Sequence, residues 1–314
     1  MTDVGGHVSH NFLIDTGAQI SLIPYDERLA KFATGKSIMF SGVTGAQSKV
    51  IQLLPIIEPI LGLDNLLRTA KAEQLLFQDH PLWAKDALDC GLIKGCKPVV
   101  VEGELPPPMK QYPIKPEAEK SAAEDLPILL ERGIVISGPA RCNSPLYPVK
   151  KGLKWRITVD FRGINKHAVK ITPVVADLAY LMASIPSDSE WYSVLDMKNR
   201  FWSVPVAEES RHWFGFCCQG EQFKWARVPM GFTNSPTWYH SALKQSLKGW
   251  TFEGSVLVQC VDDLLLASKD EETHMRDLTT LVDYLAEQGH KASYEKAQLA
   301  KQEVTYLRLR FLRA

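Results

Sequence analysis

An excess charge of either sign is missing from this chain: 36 lysines and arginines balance 36 aspartates and glutamates. No global basic field therefore advertises nucleic acid, and any such site must be a local cluster. No apolar run is long enough to cross a bilayer. The first residues lack the basic and apolar stretches of a signal peptide. Together these predict a cytoplasmic protein without a membrane partner. Zinc-type Cys-x-x-Cys spacing is also missing from the six cysteines, Cys90, Cys96, Cys142, Cys217, Cys218 and Cys260. They read as free, mostly buried thiols of a reducing compartment. What remains is ordinary: 45% apolar and 23% charged residues over 314 positions, enough for two domains or one large one.

The most informative stretch is Val256-Leu-Val-Gln-Cys-Val-Asp-Asp-Leu-Leu-Leu-Ala-Ser268. Two β-rich apolar runs flank Asp262 and Asp263, which predicts a hairpin with the acids at its turn. Adjacent carboxylates repel unless a cation lies between them. Oxygen-only ligands of this kind suit Mg²⁺. An isolated Asp-Asp is more often a solvated turn. A third acid changes that balance: Asp196 ends another apolar strand in Trp191-Tyr-Ser-Val-Leu-Asp-Met-Lys-Asn-Arg-Phe-Trp-Ser-Val-Pro-Val206. Three carboxylates on two neighbouring strands can hold two metal ions for an in-line phosphoryl displacement.

Near the start, Asn11-Phe-Leu-Ile-Asp-Thr-Gly-Ala-Gln-Ile-Ser-Leu-Ile23 reads as strand, tight turn and strand. A buried Asp15 at that turn would act as a general base if a second Asp shared its proton. Only one Asp-Thr-Gly is present, so the partner would come from a second copy in a homodimer. The plain alternative is an Asx turn. Residues 71–115 read as a connector, with a proline-rich extended run at 105–116. A helix is predicted over 116–135, opened by Pro116, closed by Gly133 and kinked at Pro127. Two strands then surround a basic turn containing Lys150, Lys151, Lys154 and Arg156, a pattern that also serves edge protection. A short helix is expected at 176–184 and strands at 212–218 and 222–228. A loop through Met230 and Gly231 then leads into a helix over 235–248, whose packed face is read as Trp238, Ala242 and Leu243. Glu271–Gln288 is amphipathic, with Met275, Leu278, Val282 and Leu285 on one face and Gly289 following it.

Taken in order, these motifs resemble the Pol polyprotein of gammaretrovirus-like or epsilonretrovirus-like elements, as an endogenous copy, over about residues 8–312. The Asp15 stretch is similar to the active-site strand of retroviral aspartic proteases. Gly42-Val-Thr-Gly-Ala46 resembles the flap tip of those enzymes. Ile60-Leu-Gly-Leu-Asp-Asn-Leu66 resembles a segment near their C-terminus, with Leu63 at an Arg position. Thirteen residues separate Ala46 from Ile60, so residues 1–70 read as a shortened protease remnant. Residues 116–314 resemble the fingers and palm of a reverse transcriptase, without its thumb or ribonuclease H domain.

The resemblance implies an α+β fold: an antiparallel palm sheet backed by helices, with fingers to one side and a small all-β unit at the N-terminus. It implies RNA-directed DNA polymerase activity on an RNA or DNA template-primer with deoxynucleoside triphosphates. Asp196, Asp262 and Asp263 would hold two Mg²⁺ ions, with Mn²⁺ as the other candidate. Lys151 and Arg156 would hold the triphosphate, Asn199 and Arg200 would contact it through the backbone, and Phe201 would wall off the ribose 2′ position. Met230 and Gly231 would lie in the loop that meets nucleotide and template. Arg200 stands where the family has a small residue, Met230 where it has Gln, Cys260 where it has Tyr and Arg308 where it has Gly. These departures keep open a catalytically inactive remnant that binds nucleic acid or a partner. A third reading is a homodimeric aspartic protease acting through Asp15.

Overall fold

The computed structural model describes residues 33–41, 47–53, 77–152, 154–172 and 178–312. The chain divides into two compact units at Gln78 and Asp79. In the first, β1 (Ala33–Ser41) pairs antiparallel with β2 (Gln47–Leu53), from Ala33 opposite Leu53 to Ser41 opposite Gln47. Asp15, the 42–46 segment and the 60–66 segment lie outside the described residues.

The second unit begins with a segment read from sequence as a connector. From Asp79 onward that segment belongs to the unit itself. Single bridges tie Trp83 to Ala292, Val99 to Val206 and Gly103 to Ala168, while Leu82, Trp83, Ile93 and Val101 are buried. Isolated long-range bridges thus take the place of a ladder in satisfying part of its backbone.

Helix α1 (Pro116–Glu131) opens with Pro116, carries Glu117 and Glu119 in its first turn, and buries Ala118, Ala122, Leu126 and Leu129 along one stripe. It stops four residues before the predicted end. Gly133 takes a positive φ of 60° and the chain turns directly into β3 (Val135–Ser137). The hairpin of β4 (Val149–Lys151) and β5 (Lys154–Arg156) follows, then the short helices α2 (Arg162–His167) and α3 (Leu178–Ala183). After β6 (Trp191–Asp196), β7 (Gly215–Cys218) and β8 (Glu221–Trp225) join β3 in a sheet of order β3-β8-β7. Residues 212–214 belong to a 3₁₀ stretch, Glu208–Phe214, and not to the strand predicted there. Helix α4 (Ser235–Ser246) packs through Ser235, Tyr239 and Leu243, so Tyr239 and not Trp238 faces the core.

The central sheet has the order β11-β6-β10-β9, all antiparallel, with β9 (Ser255–Cys260), β10 (Asp263–Ser268) and β11 (Gln298–Lys301). Both of its faces are covered, which explains why β10 is one continuous apolar run. On one face Leu265 and Ala267 pack with Tyr192, Val194 and Val258 against the hairpin of β12 (Glu303–Tyr306) and β13 (Leu309–Leu312), through Val304, Tyr306 and Phe311. On the other face lies helix α5 (Glu271–Glu287), capped by Asp270, which accepts from the Thr273 amide at 2.9 Å.

Helix α5 is joined to the sheet by a buried polar chain that hydrophobic periodicity does not reveal. Ser255 Oγ donates to Asp277 at 2.6 Å, leaving it to accept from Ser268 Oγ at 2.6 Å. Ser268 then accepts from His274 Nδ1 at 2.7 Å. The bare Nε2 of His274 accepts from Ser193 Oγ at 2.7 Å, and Ser193 accepts from the Ala300 amide at 2.8 Å. Every proton has one place in this order, and it requires a neutral His274. Burial pushes that histidine down to about 4. Among the described residues no helix is long and apolar enough to cross a membrane.

Candidate active site

The register of the central sheet assembles the acids. Strand β10 places Asp263 opposite Asp196 of β6 on one side and opposite Cys260 of β9 on the other. Between Cys260 and Asp263 the loop is only Val261 and Asp262, so the acids occupy the turn as predicted. Val261 takes a positive φ of 55°, a strained conformation for a β-branched residue and one that a tight turn beside a functional group can hold. One carboxylate oxygen from each of Asp196, Asp262 and Asp263 lies within 4.8 Å of the others, and all three residues are half-buried. At an effective dielectric of about 20, two unit charges about 5 Å apart repel by about 3 kcal/mol. Burial first, and the Asp196 charge second, push the Asp263 carboxyl above its usual range.

Two side-chain cations offset this repulsion. The Arg200 guanidinium donates through Nη1 to Oδ2 of Asp262, and the Lys296 ammonium donates to Oδ2 of Asp196. Arg200 also lies over the ring of Phe201, 4.8 Å from its centroid, and its Nε is buried without a hydrogen-bond partner. Phe201 in turn meets Tyr239 edge-on, with ring centroids 6.1 Å apart. The Tyr239 hydroxyl is buried and unpartnered, and burial pushes its pKa far up.

Asn199 sits in a left-handed conformation with φ 42°. Its amide donates to the carbonyls of Ala87 and Asp89, both at 2.8 Å, and its oxygen accepts from Arg156 Nη2 at 3.2 Å. Burial, then the neighbouring Arg200 charge, push Arg156 below its usual range. Backbone pairing sets Lys151 opposite Lys154 at the tip of the β4–β5 hairpin. Half-buried Met230 precedes Gly231, whose φ of 88° requires glycine although a Cβ there would meet only ordinary contacts. Asn165 fastens this loop, donating to the Gly231 carbonyl and accepting from the Thr233 amide, both at 2.9 Å.

Structure thus brings the three acids and Arg200 into contact, and joins Arg156 to Asn199 and Phe201 to Tyr239. Sequence reading did not single out Lys296 or Tyr239. Lys296 sits in a 3₁₀ turn, Tyr294–Lys296, far along the chain from Asp196, and no local pattern announces that pairing. Three converging hard oxygen donors fit a divalent cation of the oxygen-seeking class. Two of the three carboxylates, Asp262 and Asp196, already hold a side-chain cation through Oδ2.

The family model for reverse transcriptase (RNA-dependent DNA polymerase) matches residues 149–311. The Gag-Pol polyprotein of Walleye dermal sarcoma virus is 34% identical over 240 residues, covering 75% of this chain and 14% of that protein. The Gag-Pol polyprotein of Baboon endogenous virus (strain M7) is 33% identical over 322 residues, covering 96% of this chain and 18% of that protein. The chain therefore spans a small part of the length of these relatives. Among solved structures, the prototype foamy virus protease-reverse transcriptase superposes with a TM-score of 0.69 at 28% identity, over 84% of this chain and 37% of that one. A foamy viral protease-reverse transcriptase in complex with double-stranded DNA gives a TM-score of 0.65 at 27% identity, over 83% and 54% of the two chains.

Proposed function

Since this chain belongs to the reverse transcriptase (RNA-dependent DNA polymerase) family of retroviral Pol polyproteins, we propose that its second unit performs template-directed DNA synthesis at Asp196, Asp262 and Asp263. The observation that carries the reading is the convergence of these carboxylates within 4.8 Å, from β6 and the β9–β10 turn. The fold implies divalent metal use. Two ions, Mg²⁺ or Mn²⁺, would supply activation of the primer 3′-hydroxyl and neutralisation of the reacting phosphates.

The chain's own residues do the rest. Arg156, oriented by Asn199, presents its fork to the triphosphate of a deoxynucleotide, and Lys151 on the same hairpin adds charge. Phe201, backed by Tyr239, closes the sugar pocket on its 2′ side. The Met230–Gly231 loop, stapled by Asn165, meets the nascent base pair. A template-primer of RNA or DNA is gripped by shape and backbone, with sequence read by base pairing. The double-stranded DNA in the foamy viral relative supports this ligand class.

Single-nucleotide extension of a DNA primer on an RNA template tests the reading, with Asp196→Asn as control. Extension that depends on divalent metal and falls by more than about 100-fold in the variant is expected. Equal extension by both proteins overturns it. One observation favours a second reading: the Arg200–Asp262 pair suits a palm that binds nucleic acid without catalysis. In the first unit, the Asp15 motif supports an aspartic-protease-like remnant over residues 1–70, which would act as a homodimer. Peptide cleavage that Asp15→Asn abolishes is its test.

A further inference from the structure

We propose that Arg200 is a resident counter-cation of the acidic cluster, holding Asp262 in place of a metal ion so that a divalent cation must displace it to complete the site. The inference rests on the polymerase reading of the same three acids and assigns that site a built-in competitor.

Four observations carry it. First, the guanidinium is placed by the fold. Asn199, fixed in its left-handed turn by the carbonyls of Ala87 and Asp89, reverses the chain, and Arg200 opens the following 3₁₀ turn, Arg200–Ser203. Second, the side chain is held on two sides, by Asp262 through Nη1 and by the Phe201 face at 4.8 Å. Third, it remains there although its Nε is buried without a partner, a cost the ion pair must offset. Fourth, the charges balance most of the way without metal. Arg200 and Lys296 set two positive charges against three carboxylates, and of the three acids only Asp263 forms no ion pair among the described residues. An arginine cannot discharge by losing a proton, so this counter-ion is permanent. Its Nη1 occupies one oxygen, Oδ2, of the Asp262 carboxylate, which a hard cation would share or displace.

Removing Arg200 therefore has two effects of opposite sense. The three acids lose a counter-charge in the absence of metal, and the metal loses its rival. Mn²⁺ serves as the probe, its binding followed by the paramagnetic signal of the free ion, on the full chain. Arg200→Ala is expected to bind Mn²⁺ at least about tenfold more tightly than the wild type. It is also expected to melt at a lower temperature in chelator and to recover in millimolar Mg²⁺, while the wild type melts at the same temperature in both. Arg200→Gln, which keeps much of the volume, gives the same pair of results if the alanine variant does not fold. Equal Mn²⁺ affinity in wild type and a folded variant overturns the proposal. Primer extension separates this from the polymerase reading. Tight Mn²⁺ binding by Arg200→Ala without extension leaves the counter-cation standing and defeats catalysis. Extension by both proteins with equal Mn²⁺ affinity does the reverse.

Discussion

Asp263, one of the three acids of the proposed site, sits there at a cost to the fold. Its carboxyl is pushed up by burial and by Asp196, so the folded chain binds that proton more readily than the unfolded chain does. Its contribution to stability therefore falls as pH rises from the ordinary carboxylate value through the raised one. Asp263→Asn is expected to raise the melting temperature at neutral pH, with the gain vanishing below the ordinary value of 3.8. Thermal melts at the two pH values check this, and the same variant is expected to lose metal-dependent extension. Phe201 offers a specificity test. On the proposed reading, replacing it by Val would open the sugar side of the pocket that Tyr239 backs, and relative ribonucleotide incorporation is expected to rise by roughly 10- to 100-fold in competition assays. At this scale the acids were legible because two strands end on them and two of them are adjacent. Lys296 and Tyr239 were not. One meets Asp196 only through the tertiary fold, and the other displaced Trp238 from the packed face by one step of the helix.

Elements were legible where periodicity was strong and less so where a polar network decides the packing. The hairpin of β9 and β10 and the stripe of α5 through Leu278, Val282 and Leu285 follow from apolar spacing, although Leu281 is buried too and Met275 stays half-buried. The same spacing says nothing about Ser193, Ser255, Ser268, His274 and Asp277, which lie buried between helix and sheet. Their proton order needs a neutral His274. The unfolded chain takes up a proton there below about 6.5, and the folded chain only near 4. This stabilisation is complete above pH 6.5 and is lost as pH falls toward 4. One such shift corresponds to on the order of 3 kcal/mol. His290, held by Ser246 Oγ at 2.9 Å and also pushed down to about 4, acts in the same window. Urea denaturation at pH 7.5 and 4.5 measures the loss, and Ser193→Ala, which leaves His274 Nε2 without its donor, is expected to cost about 1–3 kcal/mol at the higher pH.

At the scale of the whole molecule, the segment before α1 is, from Asp79 onward, part of the second unit and not a spacer. Leu82, Trp83, Ile93 and Val101 are buried, and Ala87 and Asp89 hold Asn199. Burying four such side chains is worth roughly 6–12 kcal/mol, comparable with the entire stability of a domain. A chain beginning at Asp79 is expected to unfold cooperatively, and one beginning at Pro116 is expected to lack a cooperative transition by circular dichroism. Sequence reading missed this because isolated bridges such as Trp83 to Ala292 join residues some two hundred positions apart and leave no local trace. The α+β class and the antiparallel central sheet were legible through the resemblance to reverse transcriptases that the motifs carry in order, and not from periodicity, which by alternating strands and helices would suggest a parallel sheet.

The most direct test of a metal-dependent polymerase site at Asp196, Asp262 and Asp263 is single-nucleotide primer extension on RNA by Arg200→Ala in Mg²⁺, beside the double variant with Asp196→Asn. Extension by the first protein and none by the second is the expected result. No extension from a folded Arg200→Ala protein that binds the template-primer would contradict the account.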